Sequence, residues 1–346
     1  MNILIRTDAS VEIGTGHVMR CLTVAQEMHK YGHQVTFVMR NLYGHLANLV
    51  KQHGFSVKMI HYIGDFKLEE DVRETKGFLL KKMYDICVVD HYSIDIDWEE
   101  EIRPYVKKII AIDDLANRHH DCDLLLDQNM VRNYLKRYDE LIPKHCEKLL
   151  GPRYLVLREE FIKVRQMAKP KNGQISRLLV FMGGSDPTGE TEKVLRAIDE
   201  FDTSFPQIDV VVGAANPNKE FIRTFCKKLE LSYHCQINYL ATLMSKADFS
   251  IGAGGSTSWE RCYLGLPSSS TIVANNQIEA TEEASRLGLL FNLGNHKNVT
   301  IETYKFLLMN LEHMEQELQS MSRLGLSFTE SPEGPSSWVE RMLEMW

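Results

Sequence analysis

Short apolar runs alternate with longer segments of helical periodicity over the first 130 residues. Helical spacing predicts helices from about His17, from about Gly44 and over residues 68–82. The runs between them read NILIRTD (2–8), QVTFVMR (34–40), FSVKMI (55–60), DICVVDH (85–91) and KIIAIDD (108–114). Several of these runs are apolar on both faces, which is typical of parallel strands covered by helices on each side. The pattern therefore predicts a βαβα alternation in this half.

The same alternation begins again at about residue 176. Its apolar runs are RLLVFM (177–182), IDVVVG (208–213) and DFSIG (248–252). The sequence thus predicts an α/β protein with two Rossmann-like, doubly wound domains facing a central cleft. The expected divisions are an N-terminal domain over 1–150, a linker region over 151–175, a C-terminal domain over 176–330 and a final helix over 331–346. Trp338, Met342 and Trp346 fall on one face of that helix, which we expect to pack back on the N-terminal domain.

The net charge, the apolar runs and the cysteines restrict which partners and cellular locations we expect for the chain. The 346 residues carry a net charge of −7, so the chain would be repelled by a polyphosphate backbone, and nucleic-acid binding is not expected. No apolar run approaches the ~18 residues that span a bilayer, and Arg6 and Asp8 interrupt the N-terminal run, so we expect a cytoplasmic protein without membrane insertion. The seven cysteines form no CxxC pair, which predicts reduced thiols and no structural zinc.

The first glycine-rich turn, ASVEIGTGHVMRC (9–21), connects a strand to a helix. His17 would begin that helix, where the positive end of the helix dipole keeps an imidazole neutral and able to accept a proton from water. Asp8 and Asp90 stand at strand ends and could orient His17 or bind sugar hydroxyls. A capping or packing role for His17, with Gly14 and Gly16 only forming a tight turn, is the alternative.

A second turn, MGGSDPTGET (182–191), also follows a strand. Gly183 and Gly184 let the backbone approach a ligand closely, and the Ser185 hydroxyl together with helix amides could hold a phosphate. The turn lacks the lysine of a Walker A loop, which disfavours ATP hydrolysis. A purely structural turn is the alternative.

The most informative turn lies at residues 252–260. Gly254 and Gly255 are followed by Ser256 and Thr257, whose hydroxyls and amides stand at a helix start. Glu260 lies one turn further on, and its carboxylate could accept hydrogen bonds from the ribose hydroxyls of a nucleotide whose diphosphate is held at the helix start. A solvated helix residue is the alternative for Glu260 alone.

A fourth segment places Asn275, Asn276 and Gln277 between a strand and a helix. Side-chain amides both donate and accept hydrogen bonds, which suits the acetamido and hydroxyl groups of a sugar. Three such residues could equally form a turn and a helix cap.

Seven motifs follow one another along the chain: GTGHVMRC (14–21), VVDHY (88–92), IDDLANR (112–118), LLGPRYLVLREEF (149–161), MGGSDPTG (182–189), GAGGSTSWERCYLGLP (252–267) and ANNQ (274–277). Together and in this order, they resemble the UDP-2,4-diacetamido-2,4,6-trideoxy-β-L-altropyranose hydrolases of pseudaminic acid biosynthesis, a family of GT-B type. The spore-coat polysaccharide proteins of Bacillus are similar.

The resemblance implies that water attacks the anomeric carbon with inversion and that UDP leaves. It implies His17 as the general base, Glu260 as the ribose ligand, and a sugar site lined by Tyr92 and Asn276. It also implies a diphosphate site formed by Gly184, Ser185, Ser256 and Thr257. We add Gly16, Asp8, Asp90 and Gln277 as candidate substrate contacts, and Gly183, Gly254 and Gly255 as candidate UDP contacts.

Two positions depart from the expected pattern, and several functions stay open. His91 stands where a small residue is expected, and SSSTIVA (268–274) is more polar than a buried strand should be.

A GT-B glycosyltransferase that uses a UDP-amino sugar, similar to MurG, is the main alternative; a hydrolysing 2-epimerase and a non-catalytic nucleotide-sugar-binding protein are others. We expect no cofactor and no metal, and the sequence yields no prediction of oligomeric state.

Overall fold

The structure is a computed structural model that describes residues 1–62, 64–200, 205–335 and 337–344. The chain divides into two compact units. Unit 1 comprises residues 1–129, 133–156 and the C-terminal segment from residue 333, and unit 2 comprises residues 130–132 and 157–332.

Short, mostly buried strands form the centre of both units. Their bounds are β1 (Asn2–Thr7), β2 (Gln34–Arg40), β3 (Ser56–Ile60), β4 (Tyr84–Asp90), β5 (Val106–Ile112), β6 (Leu124–Asp127), β7 (Glu147–Leu150), β8 (Arg177–Phe181), β9 (Gln207–Val212), β10 (Ser232–Cys235), β11 (Phe249–Ala253), β12 (Ser268–Ile272) and β13 (Phe291–Asn295).

Helices connect most of these strands. Their bounds are α1 (Gly16–Lys30), α2 (Ala47–Gln52), α3 (Leu68–Leu79), α4 (Ile96–Ile102), α5 (Glu159–Arg165), α6 (Glu190–Glu200), α7 (Lys219–Lys228), α8 (Leu240–Lys246), α9 (Thr257–Tyr263), α10 (Ile278–Arg286), α11 (Ile301–Asn310), α12 (Glu315–Phe328) and α13 (Ser337–Glu344).

Unit 1 contains a parallel sheet in the order β3-β2-β1-β4-β5-β6-β7. Alternate residues of β1 enter different cores: Ile3 and Ile5 lie in one and Leu4 in the other, because successive side chains of a strand point to opposite faces. The strand order reverses at the β1–β4 pair. In sheets of this kind, ligands bind beyond the carboxyl ends of the strands at such a reversal.

Unit 2 repeats the arrangement with a parallel sheet in the order β10-β9-β8-β11-β12-β13. Its reversal lies between β8 and β11, so the loops that follow these two strands occupy the expected ligand-binding edge. Two parallel sheets with intervening helices confirm the predicted pair of Rossmann-like α/β domains.

The C-terminal helix α13 buries one face in unit 1. Trp338, Val339 and Met342 are at most 1% exposed and belong to the same apolar core as Val18 and Leu22 of α1. Trp346, placed on the same helical face by the sequence, lies outside the described residues. The burial of a whole tryptophan ring contributes substantially to the stability of unit 1.

The chain shows no sign of disulfides or membrane spans where it is described. All seven cysteines are free; six are buried and Cys235 is exposed. Cys122 and Cys146 have their sulfur atoms 3.5 Å apart. Across the described ranges, no helix is both long and apolar enough to cross a membrane.

Candidate active site

His17 and Asp90 meet at the carboxyl edge of the unit 1 sheet. The turn after β1 leads into α1, whose second residue is His17, and the neighbouring strand β4 ends at Asp90. His17 Nδ1 lies 2.5 Å from Asp90 Oδ1, and both side chains are nearly inaccessible to solvent. An ionised carboxylate only accepts hydrogen bonds, so Nδ1 carries the proton and the Nε2 of a neutral ring is left as an acceptor.

Arg20 keeps Asp90 in its charged form. One turn further along α1, its Nε and Nη2 each donate to Asp90 at 2.8 Å, a two-point contact. Burial alone would raise the pKa of Asp90, but Arg20 and His17 together bring it well below its ordinary value. Asp90 therefore stays ionised and can hold the His17 ring in one tautomer and orientation.

Tyr92 and Asp114 complete this group, which we call the His17 cluster (His17, Arg20, Asp90, Tyr92 and Asp114). The His17 and Tyr92 rings meet edge to face with centroids 4.4 Å apart. The Tyr92 hydroxyl donates to Asp114, whose Oδ2 lies 3.5 Å from Arg20 Nη1. Burial, then the Asp114 charge, raises the pKa of Tyr92, so the phenol remains a donor. These contacts form a ring of five side chains that holds the His17 imidazole in one orientation.

The structure does not bring Asp8 to His17. Its carboxylate is fully buried and is occupied by Arg6, by the main chain and side chain of Arg40, and by His91. His91 Nδ1 accepts from the Ser93 amide, so its Nε2 donates to Asp8 at 3.0 Å. The unexpected histidine is thereby explained as a partner of this buried carboxylate.

A further carboxylate cluster lies at the ends of β5 and β6. The Tyr138 hydroxyl is 3.0 Å from Asp113 Oδ2 and 3.1 Å from Asp127 Oδ2. Burial, with added repulsion from Asp114 and Asp113, raises the pKa of Asp127 to about 7. In the sequence, Asp113 and Asp114 stand out only as part of a motif, and nothing marks Asp127.

In unit 2, the loop after β8 contains Gly183, Gly184 and Ser185, all partly accessible. Gly183 has a φ of +93°, which favours glycine. Asp186 accepts from the amides of residues 190 and 191 at the start of α6. The helix amides that the sequence offered to a phosphate are therefore already occupied by Asp186, and the accessible groups are those of the loop itself.

The segment Gly252–Ser256, which we call the glycine loop, is tightly packed from behind. A Cβ atom on Gly254 would lie 2.3 Å from Thr281 Oγ1, so a larger residue would displace the loop. Gln277 Oε1 accepts from the Val273 amide and also lies against the Gly254 position, so this side chain supports the loop. Ser256 and Asn276 are exposed, and Thr257 is partly exposed.

Glu260 has one satisfied and one unsatisfied oxygen. Arg158 Nη2 donates to its Oε1 at 3.2 Å, and Arg158 also pairs with Glu160. Oε2 is buried and has no hydrogen-bond partner in the described chain. A buried acceptor without a donor costs about 1–3 kcal/mol, and a ligand hydroxyl would remove that cost. The sequence did not predict Arg158, although it lies in the quoted segment 149–161.

The sequence likewise did not predict a role for Arg261, the next residue. Its side chain is 0% exposed, and its Nη2 donates to Ala253 O, Ser258 Oγ and Ser270 Oγ. Ser270 belongs to β12, so one hydroxyl of this unexpectedly polar strand accepts from a buried guanidinium, and Thr271 bonds the Tyr304 hydroxyl. Within the residues that the structure describes, no cluster of three or more His, Cys, Asp or Glu side chains is suited to hold a metal ion.

The chain has the GT-B fold. It is similar to MurG from Acinetobacter baumannii (TM-score 0.65, 13% identity, 99% of both chains). It is also similar to Anabaena HepE, solved in complex with UDP (TM-score 0.60, 11% identity, 100% of this chain and 99% of the other). A UDP-GlcNAc 2-epimerase from Neisseria meningitidis is comparable (TM-score 0.60, 12% identity, 100% and 99%). At these identities the likeness is one of fold, and it confirms the predicted GT-B class.

The sequence relatives match only part of this chain. A UDP-2,4-diacetamido-2,4,6-trideoxy-β-L-altropyranose hydrolase from Campylobacter jejuni is 27% identical over 66% of this chain and 75% of its own. The spore coat polysaccharide biosynthesis protein SpsG from Bacillus subtilis is 32% identical over 44% of this chain and 45% of its own. An uncharacterised Methanocaldococcus jannaschii protein is 28% identical over 77% and 54%. The match thus spans about half the length of the last two proteins, and no protein-family model matches the chain.

Proposed function

We propose that this protein is a UDP-sugar hydrolase that releases UDP by attack of water on the anomeric carbon, with inversion. The substrate we propose is UDP-2,4-diacetamido-2,4,6-trideoxy-β-L-altropyranose or a close diacetamido sugar, in nonulosonic (pseudaminic) acid biosynthesis. The observation that carries the proposal is the contact of His17 Nδ1 with Asp90, which leaves Nε2 as a proton acceptor. The Campylobacter relative, whose name states this hydrolysis, supports the choice of reaction.

The proposed step needs one base and one leaving group. The water oxygen forms a bond to the anomeric carbon, its proton passes to His17 Nε2, and the bond from that carbon to the UDP oxygen breaks with its electron pair going to UDP. Asp90 stabilises the imidazolium that forms, as a carboxylate behind a catalytic histidine does. UDP is already a good leaving group, so hydrogen-bond donors around its diphosphate suffice to stabilise the developing charge.

The residues of unit 2 supply the proposed UDP site. Glu260 Oε2 would accept from a ribose hydroxyl, since this buried oxygen has no partner within the described residues. Backbone amides and hydroxyls of Gly183–Ser185 and Gly255–Thr257 would hold the diphosphate, whereas the Gly254 amide already donates to Thr271 O. For the sugar, Tyr92 and Asn276 are the proposed contacts, because a phenol and an amide suit acetamido and hydroxyl groups.

A glycosyltransferase of the same fold is the second candidate, and one surface feature favours it. The loops after β1 and β2 are joined by a hydrogen bond from the Val11 amide to Tyr43 O. They expose Val11, Ile13 and Tyr43, with Tyr43 90% accessible. An apolar exposed patch suits a lipid-linked or otherwise apolar acceptor. The two candidates differ in whether UDP release requires that acceptor.

The replacement His17→Gln tests the proposed base. It keeps a polar side chain of similar size but cannot accept and carry a proton, so UDP release should fall by at least about 100-fold. UDP affinity, measured by calorimetry, should stay within about twofold because the proposed UDP contacts lie in unit 2. The control is His29→Gln on the exposed end of α1. Equal turnover in wild type and His17→Gln would contradict the assignment.

A further inference from the structure

Arg261 is a fully buried cation without a carboxylate partner. No aspartate or glutamate of the described chain lies within ion-pairing distance of it, and its Nε has no acceptor. The adjacent carboxylate, Glu260, is paired with Arg158 instead. All the groups that accept from its Nη atoms are neutral: Ala253 O, Thr257 Oγ1, Ser258 Oγ and Ser270 Oγ.

Such an arrangement is costly unless something compensates the charge. Buried charges are ordinarily paired, because removing an ion from water carries a penalty of several kcal/mol. Burial lowers the pKa of Arg261 to about 10, so the side chain still carries its charge at neutral pH. The folded protein therefore holds a positive charge whose hydrogen bonds all go to neutral oxygens, and the nearby Glu260 carboxylate, paired with Arg158, offsets only part of the effect of burial on its pKa.

The guanidinium lies directly behind the glycine loop. A Cβ atom on Gly252 would lie 2.3 Å from Arg261 Nη1, so only the absence of a side chain at residue 252 leaves room for it. Nη2 donates to Ala253 O, the residue before Gly254. Nη1 is 3.5 Å from Thr257 Oγ1, in the residue that follows the loop. The charge thus lies against the backbone of residues 252 and 253 of the glycine loop and beside Thr257, where α9 begins.

We propose that Arg261 is a positioning residue for the diphosphate of UDP, holding the glycine loop in shape and supplying from behind the positive charge that the bound diphosphate neutralises. The inference rests on the proposed function for its ligand. Arg261 would add a positive charge that the loop itself lacks, since Gly254, Gly255, Ser256 and Thr257 are uncharged. Field lines through a water-poor layer of protein are screened less than those through solvent.

Affinities for UDP and uridine separate this role from a merely structural one. Both ligands share the nucleoside, but only UDP carries the diphosphate. In calorimetric titrations, Arg261→Gln should weaken UDP binding by at least about tenfold and uridine binding by less than about twofold. Arg261→Lys, which keeps the charge, should retain the UDP-to-uridine preference within about threefold. Arg286→Gln, an exposed control on α10 with its side chain 65% accessible, should match wild type.

The outcomes of these titrations distinguish a role of the Arg261 charge in diphosphate binding from a purely structural role. Equal losses for UDP and uridine in Arg261→Gln would mean that the residue only supports the fold, and the proposal would be wrong. If Arg261→Gln does not fold, the test uses Arg261→Lys instead. A Lys variant that folds but loses the preference for UDP over uridine would contradict the proposed role of the positive charge. Wild type that binds no UDP would contradict the proposed function, whereas unchanged preference in Arg261→Gln with UDP-binding wild type would contradict only the role of Arg261.

Discussion

One histidine, one carboxylate and one arginine define the chemistry proposed for unit 1. His17 donates to Asp90, and Arg20 holds the same carboxylate by two hydrogen bonds. Hydrogen bonds to a charged group contribute about 1.5–3 kcal/mol each, so the ring orientation is strongly favoured over alternatives. Because Arg20 lowers the pKa of Asp90, protonation of this aspartate should not limit turnover near neutral pH.

Asp90→Asn should reduce UDP release by at least about 100-fold, since the neutral amide neither fixes the His17 tautomer nor stabilises the imidazolium. UDP affinity should be unchanged within about twofold. The comparison is Asp85→Asn, the same replacement on the same strand, at a carboxylate that bonds the Asn2 amide and Lys107. Steady-state assays of both variants check the prediction. Full activity in Asp90→Asn would rule out a positioning role for Asp90.

Long-range pairings of this kind could not be predicted from the sequence. The sequence marks His17, Asp8 and Asp90 as candidates but leaves open whether Asp90 or Asp8 orients the histidine. Both stand at carboxyl ends of neighbouring strands, and only the fold decides that Asp8 pairs with Arg40 and His91. Arg261 was missed because a lone arginine on a helix ordinarily reaches solvent, and nothing in its local sequence marks it as buried.

The strands differ in how clearly their sequences identify them. The apolar runs of the sequence predict β1, β2, β3, β4, β5, β8, β9 and β11, and most of these runs contain several consecutive apolar residues. β6 and β7 were not predicted, since four-residue strands are too short for a period to be recognised. β10 reads SYHC and has no apolar alternation. Its pairing with β9 comes from the tertiary fold.

The ends of β5 and β6 predict a pH-dependent stability. The pKa of Asp127 is about 7 in the folded protein and about 3.9 in an unfolded chain. Between these values the folded state binds more protons, so its free energy of unfolding falls as the pH rises from about 4 to about 7. Asp127→Asn cannot titrate. Its stability relative to wild type should therefore increase over this interval, by up to about 2 kcal/mol between pH 5 and pH 8.

Urea unfolding of both proteins at pH 5 and pH 8 measures this difference. The control is Asp139→Asn, at a side chain in unit 1 that is 45% exposed. Its free energy of unfolding should depend on pH in the same way as that of wild type. Parallel pH dependences for wild type and Asp127→Asn would show that Asp127 ionises in the folded protein as it does in the unfolded chain.

Residues of unit 2 account for how an acidic protein could bind an anion. With a net charge of −7, the chain has no general attraction for phosphates. The proposed UDP contacts are mostly uncharged backbone and hydroxyl groups, and Arg261 adds one positive charge behind them. The sequence predicted two Rossmann-like domains because apolar strand runs recur in both halves. It offers candidate residues for the chemistry but not their partners, because Arg20, Asp114 and Arg158 come close to these candidates only after folding.

Reaction in oxygen-18 water tests hydrolysis most directly. Wild type is incubated with UDP-2,4-diacetamido-2,4,6-trideoxy-β-L-altropyranose and no acceptor, and both products are analysed by mass spectrometry, with the free sugar alone as the exchange control. We predict that oxygen-18 enters the sugar faster than in this control and that UDP remains unlabelled, because the bond broken joins carbon to oxygen. Label in UDP, or UDP release only after an acceptor is added, would contradict the proposed hydrolase.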